Sequence, residues 1–374
     1  MDYLRSKLFG QNRKESPAAA AASSTGGNQS DNGLTIEYFQ TQFLLDCLMR
    51  TVYNPADQKE LIAMCYEQIA NNNNNDLRML RDFEQKYSSD RALWWYLQDS
   101  FLYKILNYSL ESQDLGNLFV FRKLLRDINN QMQQHRCPTP LHVYRSQLMP
   151  MELLSQWISS VGQCVVVNSF LSATVNQEVA LAYLNTGERS KENCERVLLE
   201  IDADPRIIGS KPFVQVGSLN YSTDENEVIC MFGSIFLINN ITCGNDGLYT
   251  IEMTLYSDNE HEFKQIFDDM KKRYGDGELD LLTFARILKD FDRFNEAEEY
   301  TNRHLESLPA DHEDTIRCYN LLGSVALARG DFEASLNSYN KTLEFQMRKS
   351  SRSVDPKLAE THENIGDVYW KQGN

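Results

Sequence analysis

Three short segments carry the residue types that could do chemistry. Val143-Tyr144-Arg145-Ser146 puts an arginine at the end of an apolar strand. Asn168-Ser169-Phe170-Leu171-Ser172-Ala173-Thr174 supplies hydroxyls where a second strand ends, just ahead of a helix. Glu225-Asn226-Glu227 sets two carboxylates at i and i+2 at the start of the strand Val228–Phe232. On a strand those carboxylates share one face, about 7 Å apart. Two like charges there repel, and nothing structural requires them. They suit a developing positive charge, with one carboxylate holding a sugar hydroxyl and stabilising an oxocarbenium-like ion while the other activates an acceptor. A strand-end arginine offers a planar fork for a diphosphate. Together the three segments read as a site for a phosphate-bearing sugar donor. Each also has a plainer reading, since Glu-x-Glu can be no more than a solvated strand face.

Other chemistries find less support. Tyr274-Gly275-Asp276-Gly277-Glu278-Leu279-Asp280 has the look of a calcium loop, but ligand positions 1, 3 and 12 would be Lys272, Tyr274 and Thr283. That makes it a turn. Gly26-Gly27 is followed by no Gly-Lys-Ser/Thr, so it is not a phosphate loop. The six histidines are dispersed, and the eight cysteines include no Cys-x-x-Cys pair, which argues against zinc and disulfide frameworks and for buried free thiols. The expectation is no metal.

The elements that must position the segments follow from periodicity. From Ile36 to about Gln134 the pattern is helical, with Leu93, Leu97, Phe101 and Ile105 at strict i, i+4 spacing and Asn71–Asn75 as an interhelical loop. The aromatics Trp94, Trp95, Tyr96, Phe101 and Tyr103 could form a stacking platform, but their spacing favours core packing. After Cys137-Pro138-Thr139-Pro140 the runs Leu141–Tyr144, Cys164–Val167, Val197–Ile201, Glu227–Phe232, Ile235–Ile238 and Tyr249–Tyr256 read as strands. One helix, roughly Asn176 to Leu184, starts at a Thr174/Gln177 capping box. The resulting class is α+β, mostly antiparallel, behind a helical half.

At 374 residues the chain should hold two or three domains. Residues 1–33, with an Ala run and a Ser/Gly/Asn-rich stretch, read as a disordered leader. Residues 34–256 form one domain, helical over 34–140 and a β core over 141–256. In 257–374, Tyr319, Leu322, Gly323, Ala326, Gly330, Phe332 and Tyr339 follow the helix–turn–helix pattern of a tetratricopeptide repeat. His362, Ile365, Gly366, Tyr369 and Gly373 repeat its first half 43 residues later, a period closer to the kinesin-light-chain type, and Phe284, Phe294, Ala297 and Tyr300 form a degenerate earlier copy. The array stops inside a repeat and reads as truncated.

The net charge of −16 makes nucleic acid and anionic membrane poor partners. Residues 257–374, with 24 acidic and 16 basic residues, could offer an acidic groove to a basic peptide or simply a solvated surface. No apolar run is long enough to span a bilayer and no secretory signal is present, so a cytoplasmic location is expected.

In this order, Tyr144-Arg145, Asn168-Ser169-Phe170-Leu171-Ser172 and Glu225-Asn226-Glu227-Val228-Ile229, followed by Ser234-Ile235-Phe236, resemble the arginine–serine–glutamate class of mono-ADP-ribosyltransferases. The helical segment Ala92–Tyr103 belongs to the same likeness, which spans roughly residues 36–256. The fold it implies is a split antiparallel β-sheet NAD-binding core. It implies NAD+ as co-substrate, without a metal, and a protein substrate bearing an exposed arginine. Arg145 would contact the diphosphate and Ser172 would brace the nicotinamide ribose and Glu227. Glu227 would grip the ribose 2′-hydroxyl and stabilise the oxocarbenium ion, while Glu225 would orient and deprotonate the acceptor guanidinium. Ser146, Ser169 and Phe170 would join the NAD contacts, Phe170 beneath the nicotinamide, and Tyr221 would meet the target. The family's Ser-Thr-Ser is here Ser172-Ala173-Thr174, and the glycine often found after the arginine is Ser146. Without a secretory signal the chain resembles cytosolic forms fused to tetratricopeptide repeats, whose repeats would recruit a protein or peptide. Two alternatives stay open: an NAD glycohydrolase, in which water replaces arginine, and a catalytically quiet scaffold for the repeats.

Overall fold

The computed structural model describes residues 36–69, 74–98, 101–186, 193–219, 226–257, 261–309, 311–349 and 356–373. The expected leader, most of the asparagine run, Tyr221 and Glu225 lie outside them. The chain divides into two compact units, one of Tyr53–Asp268 with the chain before Asp46, the other of Asp46–Val52 with the chain from Asp269 onward.

Six helices open the first unit: α1 (Ile36–Arg50), α2 (Pro55–Ile69), α3 (Asn74–Lys86), α4 (Ala92–Leu97), α5 (Phe101–Glu111) and α6 (Leu115–Gln134). The longest is α6. The Asp114 side chain caps it by accepting from the Asn117 amide, and Leu118, Phe121, Leu125, Ile128 and Met132 are buried at three- and four-residue spacing. The i, i+4 stripe from Leu93 to Ile105 is not one helix. At Gln98 the backbone turns extended and ends α4, and Leu97 and Ile105 are only half-buried. The apolar residues that reach the core are Leu93, Trp95 and Tyr96 on α4 and Phe101, Leu102 and Leu106 on α5.

The sheet follows: β1 (Leu141–Pro150), β2 (Cys164–Val167), β3 (Leu171–Thr174), β4 (Cys194–Ala203), β5 (Phe213–Gln215), β6 (Glu227–Cys230), β7 (Ser234–Cys243) and β8 (Leu248–Tyr256). Helices α7 (Met151–Ser159) and α8 (Gln177–Thr186) interrupt it. The strand order is β2-β7-β8-β4-β1-β3-β6-β5. Among the described strands of this sheet, only β4 and β8 pair in parallel. Two strands, β3 and β5, and the helix α7 were not evident in the sequence.

The connections require this sheet to fold back on itself. Three residues, 168–170, join β2 to β3, and three more, 231–233, join β6 to β7. Such a link spans at most about 15 Å, whereas five strand spacings of a flat sheet come to about 24 Å. The hydrogen-bonded order is therefore continuous, but it is bent into two halves that share one core. Val143, Val197, Leu199, Ile251 and Met253 from one half meet Leu171, Ala173, Phe213, Val228 and Cys230 from the other. Gly233, at φ 71°, turns the second corner in the left-handed region, where a side chain would be strained, with the Gln42 side chain beside it. The halves remain hydrogen-bonded strand to strand through a single pair, Tyr144↔Thr174.

The second unit carries the last six residues of α9 (His261–Tyr274), then α10 (Leu281–Asp290), α11 (Phe294–Ser307), α12 (Asp314–Arg329), α13 (Phe332–Lys349) and α14 (Pro356–Gln372). From α10 onward each helix packs on its sequence neighbours. Phe284 of α10 meets Tyr300 of α11 edge-on, with ring centroids 5.3 Å apart. Gly323 of α12 lies so close to the Tyr339 ring of α13 that a Cβ would fall 2.7 Å from it. Gly330, at φ 81°, ends α12 in the left-handed conformation. The Gly275–Asp280 turn is occupied by its own chain: the Arg50 guanidinium donates to the carbonyls of Gly275 and Gly277 at 2.8 and 3.0 Å, and the Asp280 carboxylate caps α10 at Thr283.

Candidate active site

The single pair joining the two half-sheets creates the site. Beyond Tyr144↔Thr174 the strands β1 and β3 diverge, and a cavity of about 330 Å³ opens in the gap. Consecutive residues of both edges line it, Tyr144, Arg145 and Ser146 from β1 and Ser172, Ala173 and Thr174 from β3. Successive strand residues point to opposite faces, so a cavity touching three in a row on each side lies at the seam itself. Glu227 at the head of β6, Val179, Ala180 and Tyr183 of α8 and Tyr103 of α5 complete the wall.

Register brings the acid and the hydroxyl together. In the β3–β6 ladder Thr174 faces Glu227 and Ser172 faces Ile229, which makes Ser172 and Glu227 diagonal neighbours on one face. The Ser172 hydroxyl donates to the Glu227 carboxylate at 2.8 Å. Arg145 crosses the seam, its Nη1 donating to the Ser172 carbonyl at 2.7 Å and its Nε to the Gln147 side-chain oxygen at 3.1 Å. Both acceptors are neutral, so neither bond offsets the guanidinium charge beside the cavity. An anionic group is what such a fork receives best. Behind the wall, burial pushes the Cys230 thiol up to about 12, against an opposing effect of Arg145. Burial likewise holds the Tyr96 phenol well above its ordinary range.

The remaining expected residues take different places. Ser146 lines the cavity, but its hydroxyl donates to the Ala180 carbonyl and so ties α8 to β1. Ser169 does not line it; its hydroxyl donates to Glu111 of α5 at 2.9 Å. Phe170 does not line it either. Only 3% exposed, it packs on Tyr96 and Phe232 with centroids at 4.5 and 5.1 Å, filling the two bends of the sheet. Both residues hold the corner, where α5 also accepts the Phe170 amide on Asn107. Nor is Arg145 at a strand end: it sits midway along β1, opposite Leu199. Ser172 belongs to a strand of its own rather than to the end of β2. The cap of α8 is Asn176, whose side chain accepts from the amides of Glu178 and Val179, while the Thr174 hydroxyl accepts from the Asn176 amide.

Comparison with known proteins places these observations beside others. No family model matches the chain, and no curated protein matches it. Among solved structures it is similar to the Vis toxin, an ADP-ribosyltransferase from Vibrio splendidus, at 15% identity over 58% of this chain and 92% of that one, with a TM-score of 0.31. It is similar to Plx2a, an ADP-ribosyltransferase toxin from Paenibacillus larvae, at 13% identity over 54% and 97%, with a TM-score of 0.34. A third is the ADP-ribosyltransferase HopU1 of Pseudomonas syringae pv. tomato, at 12% identity over 55% and 99%, with a TM-score of 0.35.

Three wall residues were missed as site residues in the sequence. Tyr103 stood in the aromatic run assigned to the core; Trp95, Tyr96 and Phe101 are buried there, but Tyr103 is half-buried and faces the cavity. Tyr183, 68% exposed, reaches it from α8 together with Ala180, one turn earlier. Tyr144 was visible only as the neighbour of Arg145.

Proposed function

We propose that this chain is an NAD+-dependent protein-arginine mono-ADP-ribosyltransferase, acting in the cytoplasm. The observation that carries this reading is the convergence of Arg145, Ser172 and Glu227, from three strands, on one cavity through direct hydrogen bonds. The cation receives the donor's diphosphate. Glu227, held by Ser172, binds the ribose hydroxyl and stabilises positive charge on the anomeric carbon as the bond to nicotinamide breaks. Glu225, two residues before Glu227, orients the acceptor guanidinium and takes its proton as the nitrogen attacks. Tyr221 contacts the target. Residues 34–256 form the transferase domain and residues 257–374 the repeats. Helical hairpins packed in sequence order, with Gly323 seated on Tyr339, support the tetratricopeptide reading, and those repeats recruit the protein whose arginine is modified.

Incubation with NAD+ labelled in the adenine and with agmatine tests the reading. Label on agmatine together with free nicotinamide is the expected result. Nicotinamide release without labelled agmatine would leave a glycohydrolase, and no release at all a scaffold.

A further inference from the structure

Arg145 stands in an apolar register. By strand alternation Val143, Arg145, Gln147 and Met149 share one face of β1, and Val143 and Met149 are 0% and 1% exposed in the core. Two polar side chains in the middle of that row break the apolar pattern. Such breaks concentrate at functional sites. Arg145 accounts for one of them, since it reaches the cavity, but Gln147 does not line it. What Gln147 does instead is accept the Arg145 Nε–H at 3.1 Å.

A guanidinium carries five N–H groups in one plane. Two are used here, Nε–H on Gln147 and one Nη1–H on the Ser172 carbonyl. Anchored at two points, the plane can no longer roll about the Cδ–Nε bond. Among the described residues the other three N–H groups, one on Nη1 and two on Nη2, have no protein acceptor. A neutral acceptor is what this position needs. A carboxylate at Gln147 would also hold the Nε–H, but it would offset the charge that a diphosphate requires.

We propose that Gln147 is a positioning residue: through the Arg145 Nε–H it fixes the guanidinium plane so that its open edge is presented to the donor diphosphate. The proposal rests on the transferase reading for the identity of the donor, but the orientation of Arg145 can be tested without it.

The test has two readings on the full chain. In the first, the Arg145 Nε–H signal, assigned by its loss in R145K, is followed by NMR without NAD+. Slow hydrogen exchange is expected in the wild type and in Q147E, and fast exchange in Q147M, which keeps the length but has no acceptor. In the second, steady-state kinetics of nicotinamide release should show the NAD+ KM of Q147M raised about five- to tenfold, the effect of one hydrogen bond. Its kcat should stay within about twofold. Q147E should also raise KM, because the fork is held but its charge is offset. Slow exchange retained in Q147M, or a fall in kcat with KM unchanged, would overturn the proposal. Absence of nicotinamide release from the wild type would remove the transferase reading alone, and the exchange rates would still decide the role of Gln147.

Discussion

The Ser172 hydroxyl donates to the Glu227 carboxylate across two strands at 2.8 Å, on the diagonal of the β3–β6 ladder. This contact fixes one carboxylate oxygen at the cavity wall. Hydrogen bonds to charged groups contribute about 1.5–3 kcal/mol. S172A should therefore lower the rate of nicotinamide release roughly ten- to a hundredfold with little change in the NAD+ dissociation constant. Parallel kinetics and calorimetric titration check this, and an unchanged rate would mean that Ser172 does not orient Glu227.

The two glutamates are assigned different work, and they should separate by mutation. E225Q should retain NAD+ hydrolysis and lose transfer to agmatine, because a glutamine cannot take the acceptor's proton. The ratio of labelled agmatine to released nicotinamide measures the split. A parallel loss of both activities would contradict the division of roles.

Gly323 and Gly366, 43 residues apart, should respond oppositely to the same change. At Gly323 an added Cβ meets the Tyr339 ring at 2.7 Å, so G323A overpacks the α12–α13 contact and should cost about 1–3 kcal/mol. At Gly366 a Cβ meets nothing within 4 Å, so G366A gains helix propensity and should stabilise by up to about 1 kcal/mol. Urea titrations of the two variants, read from the helical signal, give the signs directly.

Alkaline pH should weaken the fold before it affects surface charges. Burial pushes the Cys65 and Cys230 thiols from an ordinary value of 9.0 up to about 12. Below pH 9 these thiols are protonated whether the chain is folded or not, and their contribution to stability is intact. Above it the unfolded chain ionises them while the native fold keeps them neutral. Stability should then fall as pH rises toward 12, by up to about 1.4 kcal/mol per pH unit for each thiol. Denaturant midpoints at pH 8 and pH 10 test this, and equal values would show that the thiols are not held neutral. Iodoacetamide should reach the exposed Cys243 first.

Strong local patterns were legible in the sequence. Cys164–Val167 is β2 residue for residue, and the β-rich stretch from Leu141 to Tyr256 holds all eight strands. What escaped was governed by contacts distant in the chain. Leu171–Thr174 is four residues long and follows β2 after three, so it read as that strand's end; only the bend of the sheet moves it beside β1. Phe170 and Ser169 were cofactor contacts by resemblance alone, and the bend turns them toward Tyr96 and Glu111. The stripe from Leu93 to Ile105 met the helical period perfectly, and the extended backbone at Gln98 still ended the helix. Arg145, Ser172 and Glu227, which line one cavity, stood out because their chemistry was unusual for their strands. Tyr183 was not, since an exposed tyrosine on a short helix carries no signal until α8 is laid over the seam.

In the proposed reaction the charge of Glu227 acts on the bond to nicotinamide. E227Q keeps the shape and an acceptor for the Ser172 hydroxyl while removing that charge. Nicotinamide release, measured at saturating NAD+ beside the wild type, should fall by about a hundredfold or more, with NAD+ still bound. Release from E227Q at the wild-type rate would contradict it.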